Sequence, residues 1–282
     1  MMERSILSPS ENAESFVEIG SARTNLTIVK EFLLGILGGA FIAFAAQGSN
    51  VAIHTIDSVG LSKTLAGALF ATGLMMVVIS GAELFTGNSL IVISCLRRKS
   101  KWVSMFRNWL FVYLGNFVGS LLIAYFILHS GHLGFSEGLL GGFTIKIAVY
   151  KTGLSFESAF FMGILCNWLV CIAIWMASAS KDIAGKILAI FFPIWLFITS
   201  GFEHSVANMY YIPAGILAKA NEAFAQAAIS LGVSAEQIAN LNWGTLFTRN
   251  LIPVTLGNIV GGAFFVGTIY WFVYLRKGKS SR

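Results

Sequence analysis

The sequence predicts an all-α membrane protein of six transmembrane helices, built as an inverted 3+3 repeat in which helices 2 and 5 are broken. Three observations carry this. The 282 residues are 56% hydrophobic and only 11% charged, against about 25% charged in a soluble domain, and several apolar runs exceed the ~18 residues that mark a membrane span. Three pairs of segments recur in the same order along the chain. Two equivalent spans are interrupted at membrane depth by glycine and polar residues, where non-helical backbone is tolerated only if protein buries it or it lines a cavity.

Residues 1–28 are mixed polar and charged, with no apolar signal-peptide core. They read as a cytoplasmic, partly helical lead-in, capped by Ser10 with Glu14 or by Ser15 with Glu18. The membrane domain is placed at 29–276. Span 1 covers about 30–51. Span 2 starts near residue 62, meets G-A-E-L-F-T-G-N at 81–88 and resumes over 89–96. Span 3 covers 102–129. Residues 131–154 read as a loop with some apolar character. Span 4 covers 155–179. Span 5 runs over 187–218, broken at S-G-F-E-H-S-V-A-N (200–208). A polar loop follows, with a helical pattern around 220–231. Span 6 covers about 250–275, before a basic tail at 277–282. Six spans place both termini on one face. The basic cluster Arg97, Arg98, Lys99 and Lys101, the turn lysines Lys181 and Lys186, and the tail fall on that face, which the positive-inside rule makes cytoplasmic. The +6 formal charge therefore reports topology, and no nucleic-acid partner is expected.

The repeat is internal to this chain. S-G-A-E-L-F-T-G-N at Ser80 and S-G-F-E-H-S-V-A-N at Ser200 share S-G-x-E-x-x-x-x-N. R-N-W-L-F-V-Y-L-G-N-F-V-G at Arg107 matches R-N-L-I-P-V-T-L-G-N-I-V-G at Arg249, and F-L-L-G-I-L at Phe32 matches F-F-M-G-I-L at Phe160. The copies cover about 29–129 and 155–276. Three spans is an odd number, so the second copy enters from the opposite face. Such inverted repeats place a conduction path at the repeat interface, and paired interruptions point to the site.

His204 and Glu203 stand side by side in the second break. Ionisable groups at membrane depth usually mark a pathway or a buried network. Glu203 either orients the imidazole or pairs with Glu83. Glu83 reads as pinning the first break, with Asn88, Asn208 and Asn167 as donors. Thr86 puts a hydroxyl beside the first break and, paired with His204 by the pseudo-symmetry, is expected to line the same constriction. Asn116 and Asn258 read as interhelical hydrogen-bonding residues. Lys151 is open between a snorkelling interface lysine and a cation that draws anions to the outer mouth. Cys95, Cys166 and Cys171 have no metal-ligand spacing and read as reduced packing residues, so neither a metal nor another cofactor is expected.

The segments G-A-E-L-F-T-G-N, G-I-L-C-N-W-L-V-C (163–171), S-G-F-E-H-S-V-A-N-M and N-L-I-P-V-T-L-G-N-I-V-G-G (250–262) resemble the signature segments of the formate/nitrite transporter family across all six spans. The resemblance implies an aquaporin-like protomer, five around an axis, each with its own pore. It implies a central His204 with Thr86 as its threonine counterpart, and Asn167 and Glu203 holding the histidine network. It implies an inner slit of Leu74, Leu84 and Phe85, an outer slit of Phe70 and Phe197, and Lys151 at the entry. The Lys151 match rests on its distance from Asn167, because the histidine pair that often follows this lysine is replaced by T-G-L-S-F. Glu83 stands where some formate channels carry Asp.

The resulting expectation is a channel or proton-linked transporter in the cell membrane for small weak-acid anions: formate first, with nitrite and hydrosulfide as alternatives. An anion is expensive between apolar slits and the neutral acid is not. A neutral-solute channel is the alternative of another class, but no N-P-A motif or filter arginine accompanies the spans. A membrane enzyme would need a nucleophile, metal triad or phosphate loop beside Glu203 and His204, and none is present.

Overall fold

The computed structural model describes residues 5–276, and the basic tail expected at 277–282 lies outside them. Apart from turns, two short extended breaks and one antiparallel bridge, Ile6 to Ser180, the described chain is helical. α1 (Pro9–Thr24) begins earlier than expected, with its cap two residues before Ser10. Its capping box is Ser8 with Glu11, because Pro9 suits the first helical position, where no N–H is needed. Glu14 and Glu18 instead meet Arg97 and Lys99 at 3.2 and 3.3 Å.

α2 (Ile28–Ile53) leads through a short turn to α3 (Val59–Ser80), and the chain then breaks before α4 (Gly87–Leu96). α5 (Trp102–His129) follows, and then α6 (Leu139–Thr152), in a stretch that reads as loop from sequence. Gly141 and Gly142 lower its local propensity, but Thr144, Ile145 and Ala148 are buried along it and α9 and α10 pack on it. Tertiary packing overrides weak propensity here. α7 (Phe156–Ala179) precedes α8 (Ile183–Thr199), the second break and α9 (Ser205–Ala218). α10 (Glu222–Ser230) and α11 (Ala235–Asn240) form the polar connection. α12 (Trp243–Tyr274) starts earlier than expected and contains two wide π turns, Leu246–Leu251 and Val260–Thr268. The first ends two residues before Pro253, whose nitrogen has no hydrogen to donate to the preceding turn.

Among the described residues α2, α3, α5, α7 and α12 are long and apolar enough to cross a membrane, and α4 and α8 are shorter apolar helices. The burial pattern is that of a protein dissolved in lipid. Val103, Phe106, Phe126 and Leu188 are more than half exposed, whereas Asn88, Asn108, Asn116, Asn167, Asn208, Asn250 and Asn258 are fully buried. Contacts define two faces. Leu7 N–H donates to the Ala179 carbonyl and Arg97 to the Leu275 carbonyl on the face carrying α1. On the face carrying α6, Lys146 donates to the Leu231 carbonyl and Lys219 to Leu241. Asp182 caps α8 by accepting the Gly185 N–H at 2.7 Å, which holds its exposed carboxyl below the usual carboxylate range. That cap is complete above the unfolded carboxyl's pKa and is given up as pH falls through the depressed value.

Both breaks turn on a glycine. Gly81 has φ +82° and Gly201 has φ +75°, a left-handed conformation that costs an L-residue roughly 1–2 kcal/mol. Gly81→Ala is therefore expected to lower stability by about 1–2 kcal/mol, read as a lower melting temperature in detergent with the helical content unchanged.

Candidate functional site

Each break is an extended segment buried in the middle of the protein, and its polar groups need partners there. The partners come from the same set of residue types in both halves. At the first break the Glu83 N–H donates to the Leu34 carbonyl, and Asn116 Nδ2 donates to the Gly35 and Glu83 carbonyls at 2.7 and 3.0 Å. The Phe85 N–H donates to Asn116 Oδ1. At the second break the Glu203 N–H donates to Met162, and Asn258 Nδ2 donates to the Gly163 and Glu203 carbonyls at 2.8 and 3.0 Å. The Ser205 N–H donates to Asn258 Oδ1. The carboxylates are held just as symmetrically. Asn88 Nδ2 reaches Glu83 at 2.6 Å and Asn108 at 2.7 Å; Asn208 Nδ2 reaches Glu203 and Asn250, both at 2.7 Å.

A cation completes each cluster. Arg23, at the end of α1, lies 3.2 Å from Glu83, and Lys151, at the end of α6, lies 2.8 Å from Glu203. Lys151 also stands over the Tyr211 ring at 5.2 Å. Sequence reasoning missed Arg23, Asn108 and Asn250. The repeat held the signal for all three: Asn108 and Asn250 are the second residues of the R-N-W-L and R-N-L-I segments, and Arg23 and Lys151 each stand nine residues before the matched Phe32 and Phe160.

His204 is the N-cap of α9. Its Nδ1 lies 3.1 Å from the Ala207 N–H, which can only donate, so Nδ1 accepts. The proton of a neutral imidazole is then on Nε2, which donates to Thr86 Oγ1 at 2.8 Å. The Thr86 hydroxyl hydrogen has no other partner among the described residues and is the donor left over between the two breaks. Thr86 and His204 meet through this bond and not by repeat equivalence, because the register pairs His204 with Leu84. Asn167 Nδ2 donates to the Thr86 carbonyl, Ser89 Oγ and the Asn258 carbonyl at 3.2, 3.2 and 2.6 Å. It thus holds the backbone under Thr86 and does not bond the ring. Glu203 bonds neither the imidazole nor Glu83.

Phe70 and Phe197 meet edge to face at 5.7 Å, and Phe197 lies 6.1 Å from the His204 ring. Leu74, Leu84 and Phe85 are buried, and Phe85 packs edge-on against Tyr113 at 4.9 Å. Two cavities open towards the breaks. One of about 190 Å³ on the α1 side is lined by Arg23, Glu83, Leu84, Asn88 and Lys186. The other, about 600 Å³ on the α6 side, is lined by Lys63, Lys151, Gly201, Glu203 and Tyr211.

A family model described as formate/nitrite transporter matches residues 10–272. The chain is 37% identical over 294 residues to a probable formate transporter of Methanothermobacter thermautotrophicus, across 98% of this chain and 100% of the relative. It is 35% identical over 274 residues to the formate channel FocA of Escherichia coli (strain K12), across 96% of each. Among solved structures it resembles a pentameric formate channel with formate bound, at TM-score 0.78 and 37% identity, covering 88% of this chain and 98% of that one.

Proposed function

The chain belongs to the formate/nitrite transporter family, and from that premise we propose that it is a homopentameric channel or proton-linked transporter for small monoanions of weak acids, formate first. The observation that carries the reading is the Thr86–His204 bond between the two breaks; the residues read as slits, Phe70, Phe197, Leu74, Leu84 and Phe85, are all buried.

Six crossings account for the two faces: α2, α3 with α4, α5, α7, α8 with α9, and α12, as two inverted halves. The α1 face is cytoplasmic, since Arg97, Lys99 and Lys181 lie there. A solute entering from the α6 side passes Lys151, then the outer slit of Phe70 and Phe197. It next meets Thr86 and His204, and finally the inner slit of Leu74, Leu84 and Phe85. Desolvating a monoanion between such slits is costly, and protonation removes most of that cost. Permeation is therefore fastest for the acid or for an anion that meets a proton on the way. Between the slits the Thr86 hydroxyl offers the anion a hydrogen bond, and His204 Nε2–H polarises that hydroxyl. Adding a proton to Nδ1 requires the Ala207 cap to open, so proton exchange at His204 is coupled to the first turn of α9. Glu83, Asn88, Glu203 and Asn208 keep the breaks open, and Asn167 fixes the carbonyl beneath Thr86.

Radiolabelled formate uptake into proteoliposomes at two external pH values tests this. Uptake is expected to rise as external pH falls and to be suppressed by unlabelled nitrite and by sulfide. Water permeability without formate uptake in the same vesicles would replace this reading with that of a neutral-solute channel.

A further inference from the structure

Asn50, near the end of α2, is the buried amide that the fold leaves unbonded. Every other buried asparagine among the described residues donates through Nδ2 to a protein acceptor. Asn50 is 1% exposed, its Nδ2 is enclosed without an acceptor, and its Oδ1 accepts no hydrogen bond among the described residues. It lines the cavity of about 600 Å³ that reaches the second break. So does Tyr211, whose hydroxyl likewise has no hydrogen bond among the described residues. We propose that Asn50 and Tyr211 form a neutral hydrogen-bonding subsite in the α6-side vestibule, which holds a small oxyacid or its anion and selects it over hydrosulfide. The inference deepens the anion reading above and rests on it.

A buried polar group without a partner costs stability, and native structures keep few of them. Asn50 is kept in a wall where its neighbour is fully engaged: the Ser49 hydroxyl lies 2.8 and 3.1 Å from the Ala45 and Ala66 carbonyls. The repeat sharpens the contrast. Ser178 corresponds to Asn50, as Phe160 does to Phe32. It lines the α1-side cavity, but its hydroxyl meets Ser15 Oγ of α1 at 3.4 Å. Ile91 corresponds to Tyr211, so the phenol belongs to the α6 side alone. The Tyr211 ring is fixed between Lys151 at 5.2 Å and the edge of Tyr210 at 5.9 Å, which leaves the hydroxyl as its free end. The chemistry of the pair suits an oxyacid. An amide carries donors and an acceptor, exchanged by a half-turn about χ2, and a phenol donates or accepts. A carboxylate or nitrite oxygen accepts from the Asn50 N–H and the Tyr211 O–H, and the hydroxyl of the undissociated acid donates to Asn50 Oδ1. Both protonation states of the solute are thus held by the same two side chains. Sulfur is a weak acceptor, and a site built to bond one group rejects an analogue that leaves its polar atoms unpaired.

Asn50→Leu and Tyr211→Phe test the subsite in the full-length protein reconstituted into vesicles. Each is expected to raise the half-saturation concentration for formate roughly threefold to tenfold, the loss of one hydrogen bond, and to leave that for hydrosulfide unchanged. Asn50→Leu should melt no lower than wild type, because it removes an unpaired buried amide at similar volume. A purely structural asparagine would instead lower the melting temperature and leave formate half-saturation alone, which would overturn the assignment. So would equal shifts for formate and hydrosulfide, since those report vestibule shape and not bonding to oxygen. Tyr211→Phe removes one oxygen and keeps the ring beneath Lys151. An unaltered formate half-saturation in that variant would overturn the shared subsite even if Asn50→Leu failed to fold. Binding can be read apart from transport by the broadening of the ¹³C-formate resonance on adding purified protein. Wild type should broaden it, and both variants should broaden it less. Should wild-type vesicles take up no formate, the preceding reading fails, and the resonance alone decides whether Asn50 and Tyr211 hold the oxyacid.

Discussion

His204→Ala is expected to abolish the rise of formate uptake with falling external pH and to cut uptake at the lower pH by at least tenfold. A hydrogen bond to a charged group contributes about 1.5–3 kcal/mol, and about 1.4 kcal/mol is tenfold. In the proposed pore the Thr86 hydroxyl makes that bond only while the imidazole at 2.8 Å holds its oxygen and turns its hydrogen to the anion. Without the ring, Thr86 loses its donor and the space between the slits loses its titratable group. Alanine also removes the side-chain cap of α9, a structural effect that typically costs about 1 kcal/mol. His204→Asn separates the two. Asparagine is a good N-cap and can accept the Ala207 N–H, but it does not titrate. The expected result for His204→Asn is a stably folded oligomer whose uptake is flat with pH. A steep pH dependence in His204→Asn would remove the imidazole from the mechanism and leave acid–base equilibrium in the bath as its whole cause.

Much of this site is legible in the sequence because breaking a helix in a membrane demands visible residues. Gly81 and Gly201 take a backbone conformation that few other residues adopt, and each copy carries a Glu and an Asn that bond each other beside the break. The repeat doubles the signal, so S-G-x-E-x-x-x-x-N is conspicuous in a chain with 11% charged residues. What the sequence hides is which distant groups close each hydrogen bond. Asn250 lies 42 residues from Asn208, and Arg23 lies 60 from Glu83; only the fold brings them within reach. The role of Glu203 is obscured for the same reason. Its sequence neighbour is His204, but an extended backbone sends adjacent side chains to opposite sides. The carboxylate therefore turns to Lys151 while the ring turns to Thr86. α6 is hidden for another reason. Its helical state depends on neighbours and not on its own glycine-bearing sequence.

Glu203→Leu should cost the fold about 3–5 kcal/mol, the usual penalty for removing one partner of a buried ion pair. That is a large share of the 5–15 kcal/mol that typically holds a native protein together. The Glu203 side chain is 2% exposed and that of Lys151 12%, so the ammonium, although it lines the α6-side cavity, has little surface for water to solvate. Asn208 and Asn250 also lose an acceptor at 2.7 and 3.3 Å. The expected readout is a melting temperature lowered by many degrees and loss of the oligomer on size exclusion. Lys151→Met in the same background should recover much of the loss, because replacing both members of a buried pair by apolar groups is often close to neutral. That recovery is the coupling energy of a double-mutant cycle, and it isolates the pair from packing around it. Glu83→Leu provides the internal comparison. Its partner Arg23 is 24% exposed, so water is closer to the orphaned cation and the loss should be smaller. A Glu203→Leu protein as stable as wild type, or a double variant that loses the full sum of the single effects, would show that the second break stands without its ion pair. The extended segment presenting His204 would then be held by Asn258, the backbone bond to Met162 and the α9 cap.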